Sequence, residues 1–173
     1  MATPWLAGAG AATDEDLAYA NFGVSAELLL KDFYAKALEA KLVGGAGRGV
    51  LRRGRSASEQ HAKALGALLT GAGDTAPVDE DFAFEWPAPT FKSTKSTVTT
   101  GVGVLNALLG AYQTAAATAT DANYRVLYAS LAASIGQQIG ALASLAPPPA
   151  GVESFPAALD LEAASDALDR YLG

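Results

Sequence analysis

The chain has 173 residues, a net charge of −6 and no cysteine. This length suits one domain with a substantial core, and a composition that is 50 % hydrophobic and only 17 % charged excludes an intrinsically disordered chain. The acidic balance argues against nucleic acid or anionic lipid as a partner, because like charges repel. Without cysteine, the chain has no disulfides, iron–sulfur clusters, thiol catalysis or cysteine-bound zinc.

The first predicted helix begins near Asp14 and runs to about Leu42. Thr13 is a favourable N-cap, and the acidic residues after it suit the positive end of a helix dipole. Two apolar stripes at helical spacing indicate a helix central to the fold. The stripes are Leu17, Ala20, Val24, Glu27, Lys31, Tyr34 and Leu38, and Phe22, Ala26, Leu29, Phe33 and Ala37.

The second predicted helix covers about residues 50–70, with Gly71 and Gly73 as stop signals. Because glycine has a low helix propensity, Gly54 weakens the first turns of this helix. A later start, near Ser56, is therefore the alternative. The glycine-rich stretch at 44–49 is interpreted as a turn. The inward stripe of this helix is Leu51, Gly54, Ser58, His61, Leu65 and Leu68.

Residues 71–96 form a predicted connection without a helical pattern. A loop of this length is unusual in a compact domain, and a crossover along a helical bundle accounts for it. Its alternating aromatic residues, Phe82, Phe84 and Trp86, are expected to pin it to the bundle surface.

The third and fourth predicted helices cover about residues 97–118 and 121–145, and a short amphipathic helix is expected near the C-terminus. Two short turns and one long crossover predict an all-α four-helix bundle of the ferritin-like kind, with a C-terminal helix docked on it. The predicted organisation is a flexible N-terminus at 1–13, the bundle at 14–146, and a proline-rich linker with the docking helix at 147–173.

The two halves of the chain resemble each other weakly. AELLLKDFYAKAL in the first helix overlays VLNALLGAYQTAA in the third, which pairs Tyr34 with Tyr112. SEQHAKALGALL in the second helix overlays IGQQIGALASL in the fourth, which pairs His61 with Gln138. Chance likeness between alanine-rich helices is the alternative explanation, because leucine spacing is common to all amphipathic helices.

The segment LAYANFGVSAELLLKDFYAKAL resembles the first helix of the bacterial ferritin-like domain family, which includes desiccation-related proteins. In that family a glutamate, here Glu27, precedes a Phe-Tyr pair, here Phe33 and Tyr34. SEQHAKALGALL and GVGVLNALLGAY resemble the second and third helices, and the C-terminal tail is similar to that of exported actinobacterial relatives. The resemblance implies a location outside the cytoplasm, with the leader absent from this sequence, although a cytoplasmic location stays open.

Members of such bundles hold two metal ions with one Glu from each of two helices and one Glu-x-x-His from each of the others. Carried over by position, the resemblance implies a degenerate site that keeps Glu27 and His61 as metal ligands. The other four positions are occupied by Ser58, Leu105, Ile135 and Gln138. Glu59, Asp32 and Glu39 are expected to lie off the inward stripes.

Leu105 and Ile135 are therefore expected to fill the centre with apolar volume. The remaining polar residues form a predicted core cluster with a hydrogen bond between Glu27 and His61. The cluster comprises Glu27, His61, Tyr34, Tyr112 and Gln138.

The favoured hypothesis is a non-catalytic bundle without a cofactor, with a structural, stress-related or binding role. The alternative is an iron- or manganese-binding oxidase or iron-handling protein with a reduced site at Glu27 and His61, completed by Gln138 or water. A ligand cavity in the bundle centre is a third hypothesis. Enzymatic activity stays undecided and is less favoured.

No transmembrane segment is expected, a homodimer is one candidate arrangement, and the protein or small-molecule partner is unidentified. One basic cluster stands out in the acidic chain: Arg48, Arg52, Arg53 and Arg55. It is interpreted as a solvated helix face, with contact to an anion or anionic lipid as the alternative.

Overall fold

The structure, a computed structural model, describes residues 10–146 and 156–172. These ranges contain five α-helices, one short 3₁₀ turn and no strand, which confirms the all-α prediction. Residues 1–9 of the N-terminus predicted to be flexible and residues 147–155 of the predicted linker lie outside the described residues. The helices are α1 (Asp14–Glu39), α2 (Gly45–Ala72), α3 (Thr94–Thr118), α4 (Ala122–Ala143) and α5 (Leu161–Asp169).

Helix α1 begins where its capping residues predict. The Thr13 hydroxyl accepts a hydrogen bond from the Asp16 backbone N–H at 3.1 Å, and Asp16 Oδ2 accepts one from the Thr13 N–H at 3.0 Å. This reciprocal capping box satisfies two of the N–H groups that a helix start leaves unpaired. Tyr128 on α4 donates to the Asp16 carbonyl at 2.6 Å, which ties the start of α1 to the bundle.

The glycine-rich stretch at 44–49 is not a separate turn, so that interpretation was wrong. Gly44 is the N-cap of α2, and the helix starts at Gly45, five residues before the expected start. The Arg48 guanidinium donates to the Leu38 carbonyl at 3.1 Å, so the first turn of α2 is held by the end of α1. This long-range contact offsets the low helix propensity of glycine.

Gly54 is also not a weak point of α2. A Cβ atom at this position would lie 2.3 Å from Cζ of Tyr34, a separation that real atoms do not adopt. The glycine therefore lets α2 approach the ring of Tyr34 closely, and the helix continues through it to Ala72. It ends at Gly73, whose φ of 93° is in the left-handed region that glycine favours.

The crossover between α2 and α3 contains a 3₁₀ turn at Asp79–Asp81 and is otherwise irregular. As predicted, Phe82, Phe84 and Trp86 pack half-buried against the core. The Trp86 indole N–H donates to Asp32 Oδ2 at 2.7 Å. Its ring centroid lies 5.4 Å from that of Phe33 and 5.0 Å from that of Tyr171, which follows α5.

Helix α5 docks on the bundle through Ala164, Leu168 and the following Tyr171, which are buried. Backbone hydrogen bonds anchor its two ends. The Leu159 N–H donates to the Gly110 carbonyl of α3 at 3.1 Å, and the Glu85 N–H of the crossover donates to the Tyr171 carbonyl at 3.0 Å. The C-terminal segment and the crossover therefore hold one another against the bundle.

The four long helices pack mainly as two antiparallel pairs. Helices α1 and α2 pack along their length, as do α3 and α4, while α2 and α4 make far fewer close approaches. Among the described helices only α4 has a length and apolarity that would allow it to cross a membrane. Its buried residues, from Tyr124 to Ala143, face the bundle core, as expected for a core helix of a globular domain.

Candidate metal centre and its polar remnant

The buried centre of the bundle contains a fully enclosed carboxylate. Glu27 on α1 has no exposed surface, and its Oε1 lies 2.8 Å from Nδ1 of His61 on α2. The Tyr112 hydroxyl on α3 donates to the same oxygen at 3.2 Å. When Glu27 is ionised, an N–H at Nδ1 of His61 is the second donor. The expected hydrogen bond between Glu27 and His61 is thus present.

A second polar contact lies on the other side of the centre. The Tyr34 hydroxyl on α1 donates to Oε1 of Gln138 on α4 at 3.0 Å. Gln138 is only 8 % exposed. With its oxygen accepting from the phenol, the amide has its nitrogen as the atom without a hydrogen bond to Tyr34.

The five predicted polar residues therefore form two hydrogen-bonded groups. We call them the carboxylate group (Glu27, His61 and Tyr112) and the amide group (Tyr34 and Gln138). No hydrogen bond joins the two groups within residues 10–146 and 156–172. Burial is the larger cause that raises the pKa of Tyr34 above its ordinary value, and the nearby charge of Glu27 is the second. Through this second cause the carboxylate group acts electrostatically on the amide group. The same two causes raise the pKa of Tyr112.

Apolar side chains occupy the space between the helices at two predicted ligand positions. Leu105 on α3 and Ile135 on α4 are both 0 % exposed. Ser58, at the glutamate position of α2, is also fully buried. The described parts of the chain contain no cluster of three or more His, Cys, Asp or Glu side chains that could hold a metal ion. The ligand set of a di-metal centre is thus not assembled here.

The acidic residues that were excluded on helical geometry do lie away from the centre. Glu59 is partly exposed and faces Arg55 at 3.4 Å, and Glu39 is exposed. Asp32 accepts from Trp86 and pairs with Lys36 at 2.9 Å. None of them supplements Glu27 in the bundle interior.

Three buried side-chain atoms near these groups have no hydrogen-bond partner among the described residues: Glu27 Oε2, Ser58 Oγ and Gln138 Nε2. Buried polar atoms of this kind are uncommon and require an explanation. Sequence reasoning did not find them, because the spacing of polar residues does not reveal which individual atoms remain unpaired.

The glycines that shape this centre were likewise missed as packing residues. A Cβ at Gly23 of α1 would lie 2.8 Å from Cδ1 of Leu65 and 3.0 Å from the Tyr112 hydroxyl. Gly23 thus lies against the tyrosine of the carboxylate group, as Gly54 lies against that of the amide group. Each glycine is buried, and each lies inside a long predicted helix, which was the signal available in the sequence.

Comparison with known proteins agrees with this architecture. A family model described as "Ferritin-like domain" matches residues 15–147 of the chain. The chain therefore belongs to the family of ferritin-like domains. Searches of curated proteins and of solved structures returned no match.

Proposed function

We propose that this protein is a non-catalytic ferritin-like bundle that acts by binding a partner or as a structural element. The observation that carries the proposal is the full burial of Leu105 and Ile135 at two positions where relatives with metal centres place ligands. Apolar packing and the hydrogen bonds of the carboxylate group then hold the centre together in place of metal ions.

The charge balance supports the same conclusion. Two divalent ions bring about four positive charges, and burying them requires several compensating carboxylates. Glu27 is the only carboxylate in the described part of the centre, and its Oε1 already accepts from His61 and Tyr112. The free energy of burying a di-metal cluster would therefore be strongly unfavourable.

Metal analysis of the purified protein tests the proposal. The chain is incubated with iron, manganese or zinc, desalted, and measured by elemental analysis. We expect no metal above the background of a buffer-only control. Near-stoichiometric metal would contradict the proposal and favour an oxidase or iron-handling role.

One observation favours a second candidate, a mononuclear iron or manganese site. Glu27 Oε2 is buried without a partner and lies on the same carboxylate that contacts His61. Under this alternative, His61→Ala removes the bound metal, whereas Glu59→Gln on the outer face of α2 leaves it in place. Equal metal content in wild type and His61→Ala would reject the alternative.

A location outside the cytoplasm and a role in stress are further parts of the proposal. They are supported by the resemblance of the C-terminal tail and first helix to exported and desiccation-related proteins. Fractionation of cells that express the complete gene, followed by immunoblotting, tests the location. Detection only in the cytoplasmic fraction would contradict it.

A further inference from the structure

A cleft of about 210 Å³ opens between α2 and α4, which make far fewer close approaches than the pairs α1–α2 and α3–α4. It reaches inward to the amide group, since Tyr34 and Gln138 both line it. Its volume is smaller than the roughly 300–1,000 Å³ of pockets for drug-sized ligands, which limits any occupant to a small molecule.

The inner end of the cleft is lined by a glutamine whose buried amide nitrogen has no hydrogen-bond partner among the described residues. Gln138 is more than nine-tenths buried, its oxygen accepts from Tyr34, and its Nε2 has no partner among the described residues. An amide nitrogen can only donate, so the matching ligand atom is an acceptor. In the orientation described, the oxygen of this amide is occupied by Tyr34 and the nitrogen is the atom left for a ligand.

The outer part of the cleft carries one positive charge. Arg53 on α2 lines it, is exposed, and forms no ion pair or hydrogen bond within the described ranges. No acidic residue lines the cleft, although the chain as a whole is acidic. A planar guanidinium pairs well with a carboxylate, to which it can donate two parallel hydrogen bonds.

The rest of the lining is largely apolar or small. Val50, Ala57 and Ala141 contribute hydrocarbon surface beside the ring of Tyr34. An inorganic anion would leave this surface uncovered, whereas an organic acid would bury its hydrocarbon portion there. The chemistry of the lining thus combines a donor, a cation and an apolar wall.

We propose that the cleft between α2 and α4 binds a small organic monocarboxylate, held by Arg53 and the free amide nitrogen of Gln138. The inference rests on the proposed function, because it assigns the binding role to a specific site. It uses neither Glu27 nor His61, so the two proposals fail under different measurements.

Benzoate is a suitable probe, because it joins a carboxylate to a small apolar ring. Binding to the full ¹⁵N-labelled chain is followed by NMR at pH 7, with the side-chain amide of Gln138 as the local reporter. We expect saturable shifts of this amide with benzoate and much weaker shifts with benzamide, its uncharged analogue. Inorganic phosphate, which lacks an apolar portion, is also expected to bind more weakly.

Two substitutions and one matched control locate the site. Arg53→Gln removes the charge at an exposed position and is expected to weaken benzoate binding about fivefold, the upper range for an exposed ion pair. Arg52→Gln changes a neighbouring exposed arginine that does not line the cleft, and binding is expected to stay unchanged. Gln138→Glu keeps an acceptor for Tyr34 but replaces the donor with an anion, and is expected to weaken binding roughly tenfold or more.

Several results would overturn the inference: no shift of the Gln138 amide with benzoate, equal binding of benzamide or phosphate, or equal weakening by Arg52→Gln and Arg53→Gln. Because Arg53 is exposed, its substitution tests the site even if Gln138→Glu impairs folding. Absence of benzoate binding in a protein that takes up no metal would reject this inference alone. Metal uptake together with benzoate binding would reject only the proposed non-metal function.

Discussion

In the weak repeat predicted from the sequence, the tyrosines of the carboxylate group and the amide group overlay one another, yet the two groups differ in chemistry. Tyr112 on α3 reaches across to Glu27 on α1. In the repeat, Tyr34 corresponds to Tyr112 and Leu105 to Glu27, so the related contact would join Tyr34 to Leu105. Leucine offers no acceptor, and Tyr34 instead donates to Gln138 on α4. The loss of one acceptor thus accounts for the different partners of the two tyrosines.

The two groups should therefore respond differently to substitution of their residues. The carboxylate group contains an ionisable acid with no exposed surface and two partners on one oxygen. The amide group is neutral and lies beside a cleft. Loss of a partner from a buried charge destabilises a protein more than loss of a partner from a neutral group.

The largest contrast is expected between His61→Ala and Gln138→Leu. The first leaves the buried Glu27 carboxylate with only Tyr112 as a donor and is expected to lower the free energy of unfolding by about 3 kcal/mol. The second leaves the neutral Tyr34 hydroxyl unpaired and should lower it by about 1.5 kcal/mol. Urea denaturation at pH 7 measures both values, and equal losses would mean that Glu27 is not buried as a charge.

The glycines beside the two tyrosines provide the next contrast. In Gly54→Ala the new methyl would lie 2.3 Å from Cζ of the Tyr34 ring, and the rigid ring cannot yield easily. We expect a loss of about 2 kcal/mol in the free energy of unfolding from this overpacking. In Gly23→Ala the nearest atom, at 2.8 Å, is the flexible end of Leu65, and we expect a loss below about 1 kcal/mol.

Gly136→Ala is the control for the helix propensity that both alanines add. A Cβ at Gly136 would meet nothing within 4 Å, so the substitution should stabilise the protein by up to about 1 kcal/mol. Urea midpoints of the three variants are compared with wild type. A Gly54→Ala protein as stable as Gly136→Ala would show that Tyr34 does not pack on α2 as described.

Removal of single hydroxyls refines the comparison. Tyr112→Phe deletes a hydrogen bond to a carboxylate and should lower the free energy of unfolding by about 2 kcal/mol. Tyr34→Phe deletes a hydrogen bond between neutral groups and should lower it by about 1 kcal/mol. Both changes preserve the ring, so denaturation curves report the hydrogen bond with little change in packing. The reverse order of effects would contradict a stronger hydrogen bond at Tyr112 than at Tyr34.

A rise to alkaline pH should gradually lower the stability of the protein through Tyr34 and Tyr112, one tyrosine in each group. The folded-state pKa values of Tyr34 and Tyr112 lie above the ordinary value of 10.0, mainly because of burial. Their contribution to stability is therefore fully present below pH 10.0 and is lost as the pH rises above it, by up to about 1.4 kcal/mol per pH unit for each tyrosine. Urea denaturation between pH 9 and about pH 11 should show this slope, and either Phe variant should reduce it. An unchanged slope in both variants would contradict the predicted shifts.

Much of this architecture could be predicted from the sequence, because it depends on helical periodicity. Glu27 and His61 lie on the inward stripes of their helices, and that placement together with the ligand positions implied by the resemblance predicted their contact. The apolar filling by Leu105 and Ile135 followed from the ligand positions that the resemblance to ferritin-like domains implies. The crossover was predictable because its aromatic residues alternate without a helical pattern.

Other features depend on how the helices approach one another, which periodicity does not encode. The start of α2 was misplaced because the contact of Arg48 with the Leu38 carbonyl joins two helices. The packing role of Gly54 requires knowledge of where the Tyr34 ring lies. The division of the polar cluster into two groups, and the cleft between α2 and α4, follow from relative rotations and distances of whole helices.

The hydrogen bond between Glu85 and Tyr171 has a consequence for folding during synthesis. It joins the crossover to a segment about half the chain length further on. At the usual pace of translation, the crossover would wait on the order of ten seconds for this partner after its own synthesis. Trp86 and its neighbouring aromatic residues would remain incompletely covered during this interval, so the nascent chain is expected to be a better chaperone substrate than the finished protein.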